Sequence, residues 1–184
     1  QTYHIGKPAA DVKVTGKCEK GETGTTVTFL PDDSIFSVTK FDFTTLATRF
    51  REICFLNAGL RIIFADESTG KKEDFHSGGG LSEFVAWLNR TKTALHKPIY
   101  FKKQQGETVV EVAIQYMDGY NDNILGFVNT INTIEGGTHV AGFKTAVTRV
   151  INDYAEKRGI LKKDEKLEGD DVREGLTALV SLRL

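Results

Sequence analysis

The run Glu135-Gly136-Gly137-Thr138-His139 most constrains this chain, because it forms a tight joint between two differently patterned stretches. Before it, Ile124 to Thr130 reads as an apolar strand. After it, about Thr138 to Lys157 carries Val140, Phe143, Val147, Val150, Ile151 and Tyr154 at helical spacing. Glycines let the backbone turn sharply and approach a neighbour, and Thr138 suits an N-cap. Such a helix start can hold an anion or simply join a strand to a helix. The residues alone leave both readings open.

The remaining pattern alternates irregularly between the two periods. Asp11 to Thr15 and Thr23 to Leu30 read as strands, the second ended by a turn at Pro31-Asp32-Asp33. A helix is predicted from about Thr44 to Ala58, with Leu46, Phe50, Ile53 and Cys54 recurring on one side and Gly59 after it. Leu60 to Ala65 and Glu73 to Ser77 form a hairpin. Gly78-Gly79-Gly80 leads into a helix, Leu81 to Arg90. Ile99 to Phe101 reads as an edge strand, Glu107 to Met117 alternates strongly, and Leu176 to Leu184 closes as a strand. Lys162 to Asp171 is charged, a loop or short helix. Hairpins between the helices favour an α+β fold with a mixed sheet over a doubly wound parallel one.

Composition sets limits on function. The 184 residues are 40% hydrophobic and 27% charged, with net charge −1, which argues against a strongly basic nucleic-acid coat but leaves room for a local basic strip on one face. No apolar run approaches the roughly 20 residues of a membrane span. Cys18 and Cys54 belong to no CxxC pair, which points to reduced thiols and a cytoplasmic setting. His4, His76, His96 and His139 lack metal-ligand spacing. The chain opens without methionine and stops inside an apolar strand, and the expectation is a piece of a longer protein.

Catalytic patterns are absent by the same reading. Neither glycine cluster matches a phosphate loop, and no lysine follows at the required spacing. Asp32-Asp33, Asp66-Glu67 and Asp170-Asp171 sit in turn-like contexts. His76 and Ser77 are adjacent on a strand and point to opposite faces, a poor base–nucleophile pair. Lys144 and Arg149 lie off the apolar stripe of the last long helix. With Lys157 and Arg158 they form either a solvated face or a weak positive strip for phosphates.

As an ordered set, the motifs become specific. Thr23-Gly24-Thr25-Thr26-Val27-Thr28-Phe29-Leu30-Pro31-Asp32 resembles a TGTxVxFxPD strand of the type IIA DNA topoisomerase ATPase subunits. Arg49-Phe50-Arg51-Glu52-Ile53-Cys54-Phe55-Leu56-Asn57-Ala58-Gly59-Leu60 is similar to that family's R-R-E-x-A-F-L-N-x-G-L helix. Gly79 to Val85, Val112 to Tyr116, Phe127 to Thr133, Glu135 to His139 with Gly142-Phe143, and Asp171 to Ala178 follow in family order across nearly the whole chain. The Glu-Gly-Gly-Thr-His-x-x-Gly-Phe form resembles the bacterial gyrase B branch more than the topoisomerase IV branch.

The resemblance implies that residues 1–184 are the transducer domain of a longer subunit, with a ribosomal-small-subunit-protein-like mixed sheet, helices on one face and a left-handed βαβ crossover. It implies an ATP-dependent isomerase in which the transducer couples ATP binding and hydrolysis in a neighbouring domain to clamp closure, DNA strand passage and supercoiling. This chain alone would hold no cofactor and lack activity, ATP and Mg²⁺ being bound elsewhere in the parent. The implied partners are a second copy of the same subunit, duplex DNA and the gyrase A subunit, with no membrane. By resemblance Arg149 lines the DNA cavity, and Lys144 is a second candidate. The alternative is a stand-alone nucleic-acid- or protein-binding module of the same fold.

Overall fold

Alternating side chains make Thr108–Tyr116 (β6) a strand, and its two neighbours organise the larger sheet. In the computed structural model, which describes residues 1–162 and 165–184, β6 pairs antiparallel with Ile99–Gln105 (β5) and with Leu176–Arg183 (β9). β9 pairs in parallel with Asn123–Val128 (β7), and β7 pairs with the two-residue Ile131–Asn132 (β8). The order is β5-β6-β9-β7-β8, a mixed five-stranded sheet. β9 is central and buried along most of its length, as its near-continuous apolar sequence requires.

The chain falls into two compact units, Gln1–Lys40 and Phe41–Leu184. In the first, Tyr3–His4 (β1) pairs with Lys7–Pro8 (β2). Its turn at Asp32 forms as expected, with the Asp32 carboxylate accepting from Ser34 N–H at 2.9 Å. Asp11–Thr15 and Thr23–Leu30, expected as strands, adopt neither strand nor helix, and Val27 and Leu30 are 77% and 92% exposed. Alternation says which face would be apolar. It does not supply the neighbouring strand that closes a ladder.

In the second unit, Phe43–Leu56 (α1) starts at Asp42, whose carboxylate accepts from Thr45 N–H at 2.7 Å. The hairpin Arg61–Asp66 (β3) and Lys71–His76 (β4) packs on α1 through Ala47, Cys54 and Phe75, with Phe43 stacked on Phe64 at 4.6 Å. Cys54 is buried and free. The far end of α1 meets Gly80–Leu88 (α2), where Phe55 stacks on Phe84 at 4.8 Å, and both join Ala113, Phe127 and Leu179 of the sheet.

The hairpin turn carries a pH signature. Hydroxyls of Ser68 and Thr69 donate to the Asp66 carboxylate and hold its pKa down at about 2. Because the folded value is depressed, this contribution to stability is fully present above pH ~4, the ordinary carboxylate range. It should be lost as pH falls through about 2. Carboxyl NMR of Asp66 should show that low midpoint, and an ordinary aspartate midpoint would reject the turn geometry.

The helices do not share one face of the sheet, as the resemblance implies. Ala113 and Leu179 point to α2, whereas their neighbours Val112 and Val180, with Leu182, face Gly142, Phe143 and Ala146 of Thr138–Lys157 (α3) across a cleft. Successive strand residues point to opposite sides, so α1 and α2 lie on one face and α3 on the other. Gly169–Arg173 (α4) leads into β9. Of the charged Lys162–Asp171 stretch, the end forms this short helix, while residues 163 and 164 lie outside the described residues.

Below α2 the core is polar and closed. Asn89 donates to Gln115 Oε1 at 3.0 Å and accepts from Thr177 Oγ1 at 2.8 Å, and Gln115 donates to His96 C=O at 2.8 Å. Buried amides with partners on both sides fix register between α2, β6 and β9.

Candidate nucleic-acid interface

Helix α3 begins and ends at the residues its periodicity predicts. Thr138 is its first residue rather than its cap; the cap position is Gly137, with no side-chain hydrogen bond. Gly137 has φ +146 and Gly136 φ +82, both in the range that disfavours a side chain. Gly136 N–H donates to Thr133 C=O at 2.8 Å, tightening the joint. The glycines therefore serve a strand-to-helix turn. Among the described residues, no group of three His, Cys, Asp or Glu side chains is placed to hold a metal.

The other glycine cluster is likewise used internally. Gly79 N–H donates to Glu83 Oε2 at 3.1 Å and Gly80 N–H to Ser77 Oγ at 3.1 Å, while Ser77 Oγ donates to the same Glu83 carboxylate at 2.7 Å. These amides are taken up by the chain's own N-terminal α2 contacts, so the residues do not fit an ATP phosphate or its Mg²⁺. Ser77 is buried and His76 exposed, on opposite faces as expected.

Around α3, Val140 and Ala155 are buried, and Val147 and Ile151 are half-buried. Asn152 ties the segment before α4 to the helix, donating to Leu167 C=O at 3.0 Å and accepting from Leu167 N–H at 2.8 Å. Val150 and Tyr154, expected on the inner stripe, are 58% and 56% exposed. Each precedes an inner residue, Ile151 or Ala155, and one residue is about 100° of rotation. Tyr154 instead receives the Arg158 guanidinium at 5.4 Å from its ring.

Arg149 is exposed, and among the described residues it makes no ion pair or side-chain hydrogen bond. Lys144 is half-buried. Five residues separate them, which is about 140° around the helix, so they do not form one strip. Asp153 and Glu156 fall within about 40° of Arg149 on the same side. The broader strip with Lys157 and Arg158, both exposed like Arg149, is thus interrupted by acids rather than continuous.

What the sequence reading misses is the seat of α3. A hydrogen bond of 3.1 Å joins His139 Nε2 to Thr133 Oγ1. A methyl group on Gly126 of β7 would lie 2.6 Å from that nitrogen, 2.7 Å from that oxygen and 2.5 Å from Val140 Cγ2. The signal available was the lone glycine inside the apolar strand Ile124-Leu125-Gly126-Phe127-Val128, a mark of close approach.

Comparison with known proteins places this architecture. The family model described as DNA gyrase B matches residues 80–184. The DNA gyrase B subunit of Clostridium acetobutylicum is 53% identical over 100% of this chain and 29% of its own length. The DNA topoisomerase 4 B subunit of Streptococcus pneumoniae is 46% identical over 96% of this chain and 28% of its length. The crystal structure of the 43K ATPase domain of Thermus thermophilus gyrase B superposes with a TM-score of 0.82 at 41% identity, over 94% of this chain and 48% of that one. The chain thus spans under a third of those two curated relatives, and no helix among its described residues is long and apolar enough to cross a membrane. Its mixed sheet, its glycine joint and the matched stretch agree: the chain belongs to the DNA gyrase B family.

Proposed function

We propose that this chain, residues 1–184, carries the transducer of a cytoplasmic, ATP-driven type II DNA topoisomerase, most closely of the gyrase kind. It relays nucleotide state to a clamp formed with a second copy of the same polypeptide, in a complex with the gyrase A subunit. ATP and Mg²⁺ are held elsewhere in that polypeptide. The chain's part is mechanical: α3 is a rod of about 30 Å, from 1.5 Å per residue. Seated on β7 at one end, it carries Arg149 outward to the phosphates of the transported duplex, a rigid-body relay of the hinge type.

The observation that carries this reading is the exposed, unpaired Arg149 on a helix whose start is locked to the sheet. Lys144, half-buried, is the lesser DNA contact. Asp153 and Glu156 beside Arg149 leave no continuous basic face, which disfavours a stand-alone nucleic-acid module. In the full-length enzyme with its DNA-cleaving partner, Arg149→Ala should lower supercoils formed per ATP about tenfold, within the 5–150-fold range of coupling energies. The KM for ATP should stay put. A wild-type ratio in that variant would reject the DNA-facing role.

A further inference from the structure

We infer that His139 is the positioning residue that sets the direction and rotation of α3, an inference that rests on the coupling role proposed above. Three features converge on its ring. Its Nε2 bonds Thr133 Oγ1 at 3.1 Å, and Thr133 is itself fixed because its N–H donates to Gly126 C=O at 2.9 Å. The ring edge occupies the place where Gly126 has no side chain. On its other side, a methyl on Gly137 would fall 2.9 Å from Cε1 and 3.0 Å from Nδ1. Two glycines and a hydroxyl thus build one slot for one imidazole, at the second residue of the helix.

The consequence is leverage. Arg149 lies ten residues further on, about 15 Å along the axis, so a tilt of about 10° at the slot displaces it by about 3 Å. That distance exceeds the tolerance of a hydrogen bond to phosphate. α3 has no side-chain cap and no acidic residue in its first turn. At its start, its geometry is therefore held by His139 and the packing of Val140, while Asn152 holds the far end to Leu167.

The test uses the full-length protein reconstituted with its DNA-cleaving partner, comparing His139→Ala, His139→Gln, Thr133→Val, the His139→Ala/Thr133→Val double variant and Arg149→Ala. Supercoils per ATP, the KM for ATP and thermal midpoints are measured for each. His139→Ala and Thr133→Val should each lower the coupling ratio about fivefold, with the double variant no worse, because both remove one shared contact. His139→Gln, whose amide nitrogen reaches the Nε2 position, should restore most of the ratio. A merely structural role would order the variants by thermal midpoint instead. His139→Gln failing as badly as His139→Ala would overturn the inference, as would a wild-type ratio for His139→Ala beside an impaired Arg149→Ala. If Arg149→Ala is also unimpaired, the coupling role itself falls. Should His139→Ala not fold, the milder Thr133→Val and His139→Gln decide the matter in the same way.

Discussion

Gly175→Ala should destabilise the Phe41–Leu184 unit by more than about 3 kcal/mol, at the severe end of single substitutions. Gly175 joins α4 to β9 with φ +71, and its C=O accepts from Met117 N–H at 2.9 Å. A methyl there would lie 2.4 Å from Met117 O and 2.8 Å from Gly119 O. Both are backbone atoms just beyond the end of β6, which cannot rotate away as a side chain can. Relief requires separating β6 from the start of β9, where Tyr116 pairs with Leu176 and the Asn89–Thr177 bond begins. Gly70→Ala supplies the control. Gly70 has nearly the same φ, +72, with nothing within 4 Å of the added carbon, so it should cost only the ~1–2 kcal/mol of left-handed backbone. Urea unfolding should show a much lower midpoint for Gly175→Ala than for Gly70→Ala. Equal midpoints would show that conformation alone, not the clash, makes glycine necessary.

The elements were legible wherever one period ran long enough. α3 matches its expected bounds because a helical period runs through twenty residues, even though Val150 and Tyr154 fall off the inner side, and β6, expected from Glu107 to Met117, lies one residue inside each end. The two-residue β8 was not legible, since Thr130-Ile131-Asn132-Thr133 offers no run for a period to emerge. Faces were harder than elements. In Leu176-Thr177-Ala178-Leu179-Val180-Ser181-Leu182 one alternation is wholly apolar, and the other sets Leu179 between the small hydroxyl residues Thr177 and Ser181, with no charge on either side, a pattern compatible with cover on two sides. The family resemblance suggested helices on one face, and this local signal is the better guide.

The candidate site divides in the same way. Arg149 could be named by resemblance, and its outward placement agrees with a position off the apolar stripe. That it stands apart from Lys144 follows from 3.6 residues per turn and could have been counted from the sequence. The slot for His139 could not. Gly126 announces that something comes close, but Thr133, Gly137 and His139 meet there only because β8 folds the chain back on β7.

Phe127→Ala and Gly126→Ala, one residue apart on β7, should fail for opposite reasons. Phe127 points to the α2 face and is fully buried among Leu81, Phe84, Val85 and Leu179, with its ring 6.1 Å from that of Phe84. Truncation leaves a cavity in the main core and should cost about 3–5 kcal/mol, the range for buried phenylalanines. Because that void lies across the sheet from α3, the His139–Thr133 bond should survive in the folded fraction. Gly126→Ala adds volume on the α3 face instead. Its methyl meets three side-chain ends, His139, Thr133 and Val140, which can shift, so the expected cost is the about 1–3 kcal/mol of overpacking. The shift, however, must part Thr133 from His139. Denaturant midpoints should therefore rank Phe127→Ala as the less stable variant. Chemical shifts of the His139 ring should rank them in reverse, native-like in Phe127→Ala and displaced in Gly126→Ala. A displaced ring in Phe127→Ala with a native one in Gly126→Ala would mean that the two faces of β7 have been assigned the wrong way round.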